Sequence, residues 1–216
     1  MHDAPSPPSP VPRGRHAPPL EVRLEVQRRR LFEAAAVVFC GVGYAEASAE
    51  AISRAAGMSK ATFYEHFANK EECILALFDY ASQALLDALV EAARLAGKDF
   101  GDRHRAGLRA ILELIEANPL LAQTILVEMV GAGPRAAERR DAALNAFAEV
   151  MYRETVNAAE RSGGPAFASP DDAFAIAGAT FELVSRQLRT GRPPRLLDIE
   201  PLVERLISGL LSHPPE

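Results

Sequence analysis

The sequence predicts an all-α protein of about nine helices. Three observations carry this reading. Apolar residues recur at steps of three and four along one segment after another. No segment shows convincing period-2 alternation. Two short helix-forming runs are joined by a tight turn containing Gly57.

Composition narrows the class. The chain has 216 residues and is 48% apolar, as globular proteins commonly are. No run of about 18 apolar residues appears, so no membrane span is expected. The N-terminus lacks the apolar core of a secretory signal. Cys40 and Cys73 form neither a disulfide framework nor a metal cluster, and they read as small buried hydrophobes. No metal or other cofactor is expected, and a cytoplasmic location follows. Charge is unevenly spread. Residues 1–70 hold nine Lys/Arg against seven Asp/Glu, and the remainder holds fifteen against twenty-two. A mildly basic head on an acidic body suits a protein whose front third approaches a polyanion.

Residues 1–20 form a Pro-rich arm with seven of the sixteen prolines, expected to be disordered or extended, with Arg13 and Arg15 near phosphates. From Glu21 to Cys40 neither Pro nor Gly intervenes, and Leu24, Leu31, Ala35, Val38 and Phe39 fall near helical spacing. Arg28, Arg29 and Arg30 precede the main stripe, and Gly41 and Gly43 are expected to stop this helix before a loop at Tyr44. Ser48 caps Ala49–Ala56, Gly57 turns the chain, and Ser59 caps a helix that ends near Phe67. Asn69 then opens a long helix to about Leu95. Further helices are expected over His104–Asn118, Leu120–Val130, Pro134–Ser162, from a Ser169 cap to Arg189, and Ile199–Ser212, with breaks at Gly97–Asp102, Gly131–Pro134, Gly163–Pro165 and Gly191 onward. The expected division is arm 1–20, DNA-binding domain 21–69, and ligand-binding and dimerisation domain 70–216.

Within the helix-turn-helix, Ile52, Ala56, Phe63 and Phe67 face inward. That leaves Lys60, Ala61, Thr62, Tyr64, His66 and Lys70 facing outward, with Ser48 at the first helix start. A second helix of this kind lies in the major groove with its N-terminal residues against base edges. Lys60 suits guanine O6 and N7, and the Ala61 methyl suits a thymine methyl. Thr62, Tyr64, His66 and Lys70 suit phosphate oxygens.

The last two helices read as a two-fold dimer interface. Leu202, Leu206, Ile207 and Leu210 form one stripe, and the helix carrying Ile176, Thr180, Leu183 and Val184 is apolar around much of its circumference.

These residues resemble the TetR family of bacterial transcriptional regulators over about Arg28 to Phe78. Phe39, Gly43, Tyr44, Ile52, Ala56, Gly57, Ser59, Thr62, Phe63, Tyr64, Phe67 and Lys70 stand where that pattern expects them. Ser53 replaces a usual Ala, and Ala49 a common Thr or Val. The resemblance implies a homodimer with two DNA-binding heads on a helical body. It also implies a ligand pocket among the body helices, with Phe78, Leu112, Met129, Phe147, Met151, Phe174 and Phe181 as candidate walls and Glu128, Asn145 and Glu182 as candidate polar contacts. A small-molecule effector entering the body shifts the heads and releases the operator, so a repressor is the expected mode and a ligand-responsive activator the alternative within the family. Two other classes compete with this reading. An enzyme finds no Ser-His-Asp, HExxH, P-loop or GxGxxG arrangement. A helical protein-interaction module without specific DNA binding remains the competing reading.

Overall fold

The computed structural model describes residues 19–97 and 99–212. All of the Pro-rich arm but Pro19 and Leu20 lies outside these residues, as do Arg13 and Arg15. Nine α-helices are found among the described residues.

Helix α1 (Leu20–Glu46) begins one residue earlier than expected and runs through Gly41. It breaks at Gly43, whose φ of 79° lies in the left-handed region open cheaply only to glycine. The first turns of α1 are exposed, and its second half buries Leu31, Phe32, Ala35 and Phe39. Helix α2 (Ala49–Ala55) starts at Ser48, whose Oγ accepts the Ala51 amide at 3.1 Å. Gly57, at φ 64°, ends it, with the Gly57 and Met58 amides returning to the Arg54 and Ser53 carbonyls. Helix α3 (Lys60–His66) follows, capped by Ser59 Oγ on the Thr62 amide at 3.0 Å. Ile52, Phe63 and Phe67 close over Phe32 and Phe39, with Phe67 5.6 Å from Phe32 and 5.5 Å from Phe63 between ring centres. Each fully buried ring stabilises by about 2 kcal/mol, which fixes the angle between α2 and α3. Ser53, the departure from Ala, is buried but satisfied by the Ala49 carbonyl at 2.6 Å.

Helix α4 (Lys70–Leu95) is capped by Asn69 and links this three-helix head to the body. It is long and apolar enough to cross a membrane, with a mean hydropathy of 1.5 over its most apolar window. In this fold it is a core helix, packed against α1 (through Cys73, Ile74 and Leu77 among others), α5 and α7.

The body contains α5 (Phe100–Ala117), α6 (Pro119–Leu126), α7 (Pro134–Ser162), α8 (Pro170–Thr190) and α9 (Glu200–Leu210). Helix α5 starts four residues before the expected His104, because Asp99 caps it through the Asp102 amide at 3.1 Å. Helix α6 stops at Leu126, and Glu128–Gly131 tightens into a turn of 3-10 helix. The expectation of no strands needs one correction. Ala166–Phe167 pairs antiparallel with Leu211–Ser212, so α9 ends at Leu210 and its tail is tied to the α7–α8 connection over buried Phe167. Ion pairs set the register of the packing: Arg109 grips the buried Glu200 of α9 at 2.9 and 3.0 Å, and Arg139 of α7 meets Asp79 of α4 at 3.0 Å. Exposed pairs such as the second contribute only about 0–1 kcal/mol each.

Candidate nucleic-acid interface and effector cavity

Capping and the aromatic core leave one face of α3 outward. Lys60, Ala61 and Tyr64 are exposed, Tyr64 by 49%. The Tyr64 ring stands edge-on to Phe63 at 5.6 Å, and the Lys60 ammonium lies 6.0 Å from its centre. Thr62 is half-buried, its hydroxyl 2.9 Å from that of Ser59. Ser48 and Ser59 accept amides in their caps, and a hydroxyl that accepts in this way still carries a proton to donate, which for Ser59 is shared with Thr62.

Two predicted phosphate contacts have partners inside the head. His66 Nε2 lies 3.3 Å from Gln27 Oε1. Burial first, and then the nearby Arg28, hold its pKa below the usual histidine value, so the ring is neutral near pH 7. Lys70 donates to the carbonyls of Tyr44, Ala45 and Ala47 at 2.9, 2.8 and 3.0 Å, with its Nζ 4.8 Å from the Tyr44 ring centre. All three of its protons are used to cap the end of α1. The arginine run divides in the same way. Arg28 lies over Phe32 and Phe67 at 5.3 and 5.7 Å, and Arg30 donates to the Ala56 carbonyl at 2.9 Å beside the Gly57 turn.

In the body, α4, α5, α6, α7, α8 and α9 line a cavity of about 100 Å³. Its wall is nearly all hydrocarbon, with Phe78, Leu89, Ile115, Phe147 and Phe181 among the large side chains. Four polar side chains interrupt it: Ser82, His104, Arg140 and Thr180. The Thr180 hydroxyl is satisfied by the Ile176 carbonyl at 2.8 Å. The His104 Nε2 and Arg140 Nε atoms are buried without a hydrogen-bond partner. Burial drives the His104 pKa down to about 4, so this ring is neutral at pH 7. The Arg140 guanidinium lies 5.6 Å from the Phe181 ring centre, and its nearest carboxylate, that of Asp141, is 3.7 Å away.

Comparison with known proteins agrees with this geometry. Residues 31–77 match the family model of bacterial regulatory proteins, tetR family. The matched segment is a DNA-binding head of the TetR type. The HTH-type transcriptional activator FasR of Mycolicibacterium smegmatis is 34% identical over 90 residues, which is 42% of this chain and 41% of FasR, so the likeness spans under half of each. The fold extends further. FadR of Bacillus subtilis, solved with stearoyl-CoA, aligns over 84% of this chain and 98% of its own at a TM-score of 0.74 and 17% identity. FadR of Thermus thermophilus, a repressor solved with lauroyl-CoA, covers 87% of this chain and 97% of its own at a TM-score of 0.62 and 25% identity.

The TetR-type head meets the body mainly through α6 and the turn after it. Ile125 and Leu126 line the cavity. Beside them, Thr124 Oγ1 donates to the Ala36 carbonyl of α1 at 3.2 Å. Glu128 Oε2 accepts the Tyr44 amide at 3.3 Å and lies where a side chain at Gly43 would approach it. The same short segment therefore borders both the cavity and the head.

Of the predicted pocket residues, Phe78, Phe147, Met151 and Phe181 line the cavity. The others lie elsewhere, each for a local reason. Leu112 is fully buried among core side chains, and Phe174 packs against that core near the start of α8, outside the cavity lining. Met129 borders an adjoining cavity, and Glu128 belongs to the head joint. Asn145 is exposed and bonded to the Asp141 carbonyl, and Glu182 pairs with Arg189 at 2.7 Å. Of the predicted dimer residues, Ile176, Val184 and Ile207 are 2–3% exposed, so the chain's own core consumes them, and Thr180 faces the cavity. Leu183, Leu202 and Leu206 keep part of their surface, and Leu210 is 37% exposed. Sequence reasoning missed His104 and Arg140. His104 shares a helical face with Leu108, Ile111 and Ile115, and a titratable group on that face was the available signal.

Proposed function

We propose that this regulator binds operator DNA as a homodimer and is controlled by a long-chain acyl effector with an anionic head, of the acyl-CoA class. One observation carries the reading: an almost wholly apolar cavity whose sole lining arginine has an unsatisfied Nε atom. Hydrocarbon suits the wall at about 0.8 kcal/mol per buried CH2. A guanidinium suits a carboxylate or phosphate. Support comes from Thermus thermophilus FadR, solved with lauroyl-CoA on the same fold.

On this reading Lys60, Ala61, Thr62 and Tyr64 face the operator, joined by the Ser48 and Ser59 hydroxyls. Leu183, Leu202, Leu206 and Leu210 are the parts of α8 and α9 left to pair with a second copy in the cytoplasm. A cavity of about 100 Å³ must widen to admit an acyl chain. Widening moves α6 and the turn after it, which carry the head contacts Thr124 and Glu128. The effector therefore lowers operator affinity, the behaviour of a ligand-released repressor. Fluorescence anisotropy on the DNA upstream of the protein's own gene tests this at fixed salt. A specific complex weakened by lauroyl-CoA is expected. A complex indifferent to acyl-CoA overturns the effector class, and the absence of any specific complex favours the protein-interaction reading.

A further inference from the structure

The cavity has two chemically different ends. Arg140, Phe181 and Ile125 are shared with an adjoining cavity that reaches the exposed Val130. Leu89, His104 and Met151 are shared with a second, smaller space of about 20 Å³ beside the Arg103–Glu154 ion pair. On α7, Arg140 and Met151 are eleven residues apart, about 16 Å along the helix axis. The cation thus marks one end of the cavity, and the histidine marks the other.

We infer that the effector carries a hydrogen-bonding oxygen at the far end of its chain, and that His104 recognises it. The inference rests on the acyl-effector reading. A buried polar atom without a partner costs about 1–3 kcal/mol. A saturated chain filling the cavity leaves His104 Nε2 in that condition. A terminal hydroxyl removes it, because a neutral imidazole offers a donor at one nitrogen and an acceptor at the other. The stack of His104 on Phe100, with ring centres 5.9 Å apart, holds the imidazole in place at the cavity floor. Arg140 then orients the ligand by its head, and His104 selects among tails.

The competing role is structural. The 20 Å³ space has room for one water that bridges His104 to Glu154. The experiment separates the two. Titration calorimetry on the full-length protein uses lauroyl-CoA and ω-hydroxylauroyl-CoA as probes. The wild type is expected to bind the hydroxylated probe about tenfold more tightly, the worth of one good hydrogen bond. His104→Leu is expected to lose or reverse that ratio, and His104→Gln, which keeps a donor and an acceptor, to retain most of it. Far-UV circular dichroism and thermal melting establish that both variants fold. Equal binding of the two probes by the wild type, or a ratio that survives in His104→Leu, overturns the inference and leaves the acyl reading standing. Binding of neither probe overturns both.

Discussion

Glu128 Oε2 accepts the Tyr44 amide at 3.3 Å across 84 residues of sequence, and this bond joins the turn after cavity helix α6 to the break that ends α1. Only a side chain that accepts can hold this joint. Glu128→Ala is expected to leave operator affinity within about threefold, a cost near one neutral hydrogen bond or less. It is expected to blunt the loss of affinity caused by lauroyl-CoA. Glu128→Gln keeps an acceptor and should keep the response. Anisotropy titrations with and without effector measure both quantities, and a full response in Glu128→Ala would remove Glu128 from the coupling.

Lys70 holds three carbonyls at the end of α1, so its removal is a stability event before it is a DNA event. Lys70→Ala should lower unfolding free energy by about 1–3 kcal/mol in urea melts. The salt dependence of operator binding should stay the same. Lys60→Ala should do the reverse, keeping stability and reducing the salt slope by about one charge.

Tyr64 is half-exposed on the outward face of α3, and its ring is held by Phe63 from the side. Tyr64→Ala should weaken the specific complex several-fold. Circular dichroism and the dimer mass by light scattering should not change, and wild-type affinity in this variant would take Tyr64 off the interface.

Ala143 lines the cavity on α7 between Arg140 and Phe147. Ala143→Phe fills part of a space of only about 100 Å³. Acyl-CoA binding by calorimetry should fall by at least tenfold while operator binding persists. Arg140→Gln should also weaken acyl-CoA, but more at low ionic strength than at high, because it removes a charge that salt screens.

His104 gives the fold an acid-sensitive element. Its folded-state pKa of about 4 lies below the usual 6.5, so the unfolded chain binds this proton more tightly. The stability contributed by the neutral ring is fully present above about pH 6.5 and is lost as pH falls towards 4. Between those values one such group changes stability by at most about 1.4 kcal/mol per pH unit. Thermal melts of the wild type minus those of His104→Leu should show that slope, and identical pH profiles would show that the ring is solvated.

The head was readable because its determinants are local. Ser48, Gly57 and Ser59 each act within four residues, through caps and a positive φ. The cavity was not, because lining and core residues share the same helical faces. Leu112 and Ile115 lie one turn apart on α5, yet only Ile115 borders the cavity. Periodicity reports which face turns inward and carries no information about where the packing leaves a gap. The partners of Glu128 and Lys70 were hidden for a related cause. Their partners are other segments' backbone groups, 84 and 23–26 residues away, and every residue type carries such groups. Dimer residues failed where the chain's own body covers them, as with Ile176 and Val184.

The joints at Ala36, Tyr44 and Ala47 bear on how such proteins are recombined. A boundary drawn at residues 69–70 separates Lys70 from the carbonyls it caps, and also divides the contacts of α6 and the turn after it from their partners in α1. A head grafted from another regulator at that boundary would bind its own operator yet be deaf to this body's effector. Grafts that carry α6 and the following turn together with α1 are the ones that would keep sensor and reader in conversation.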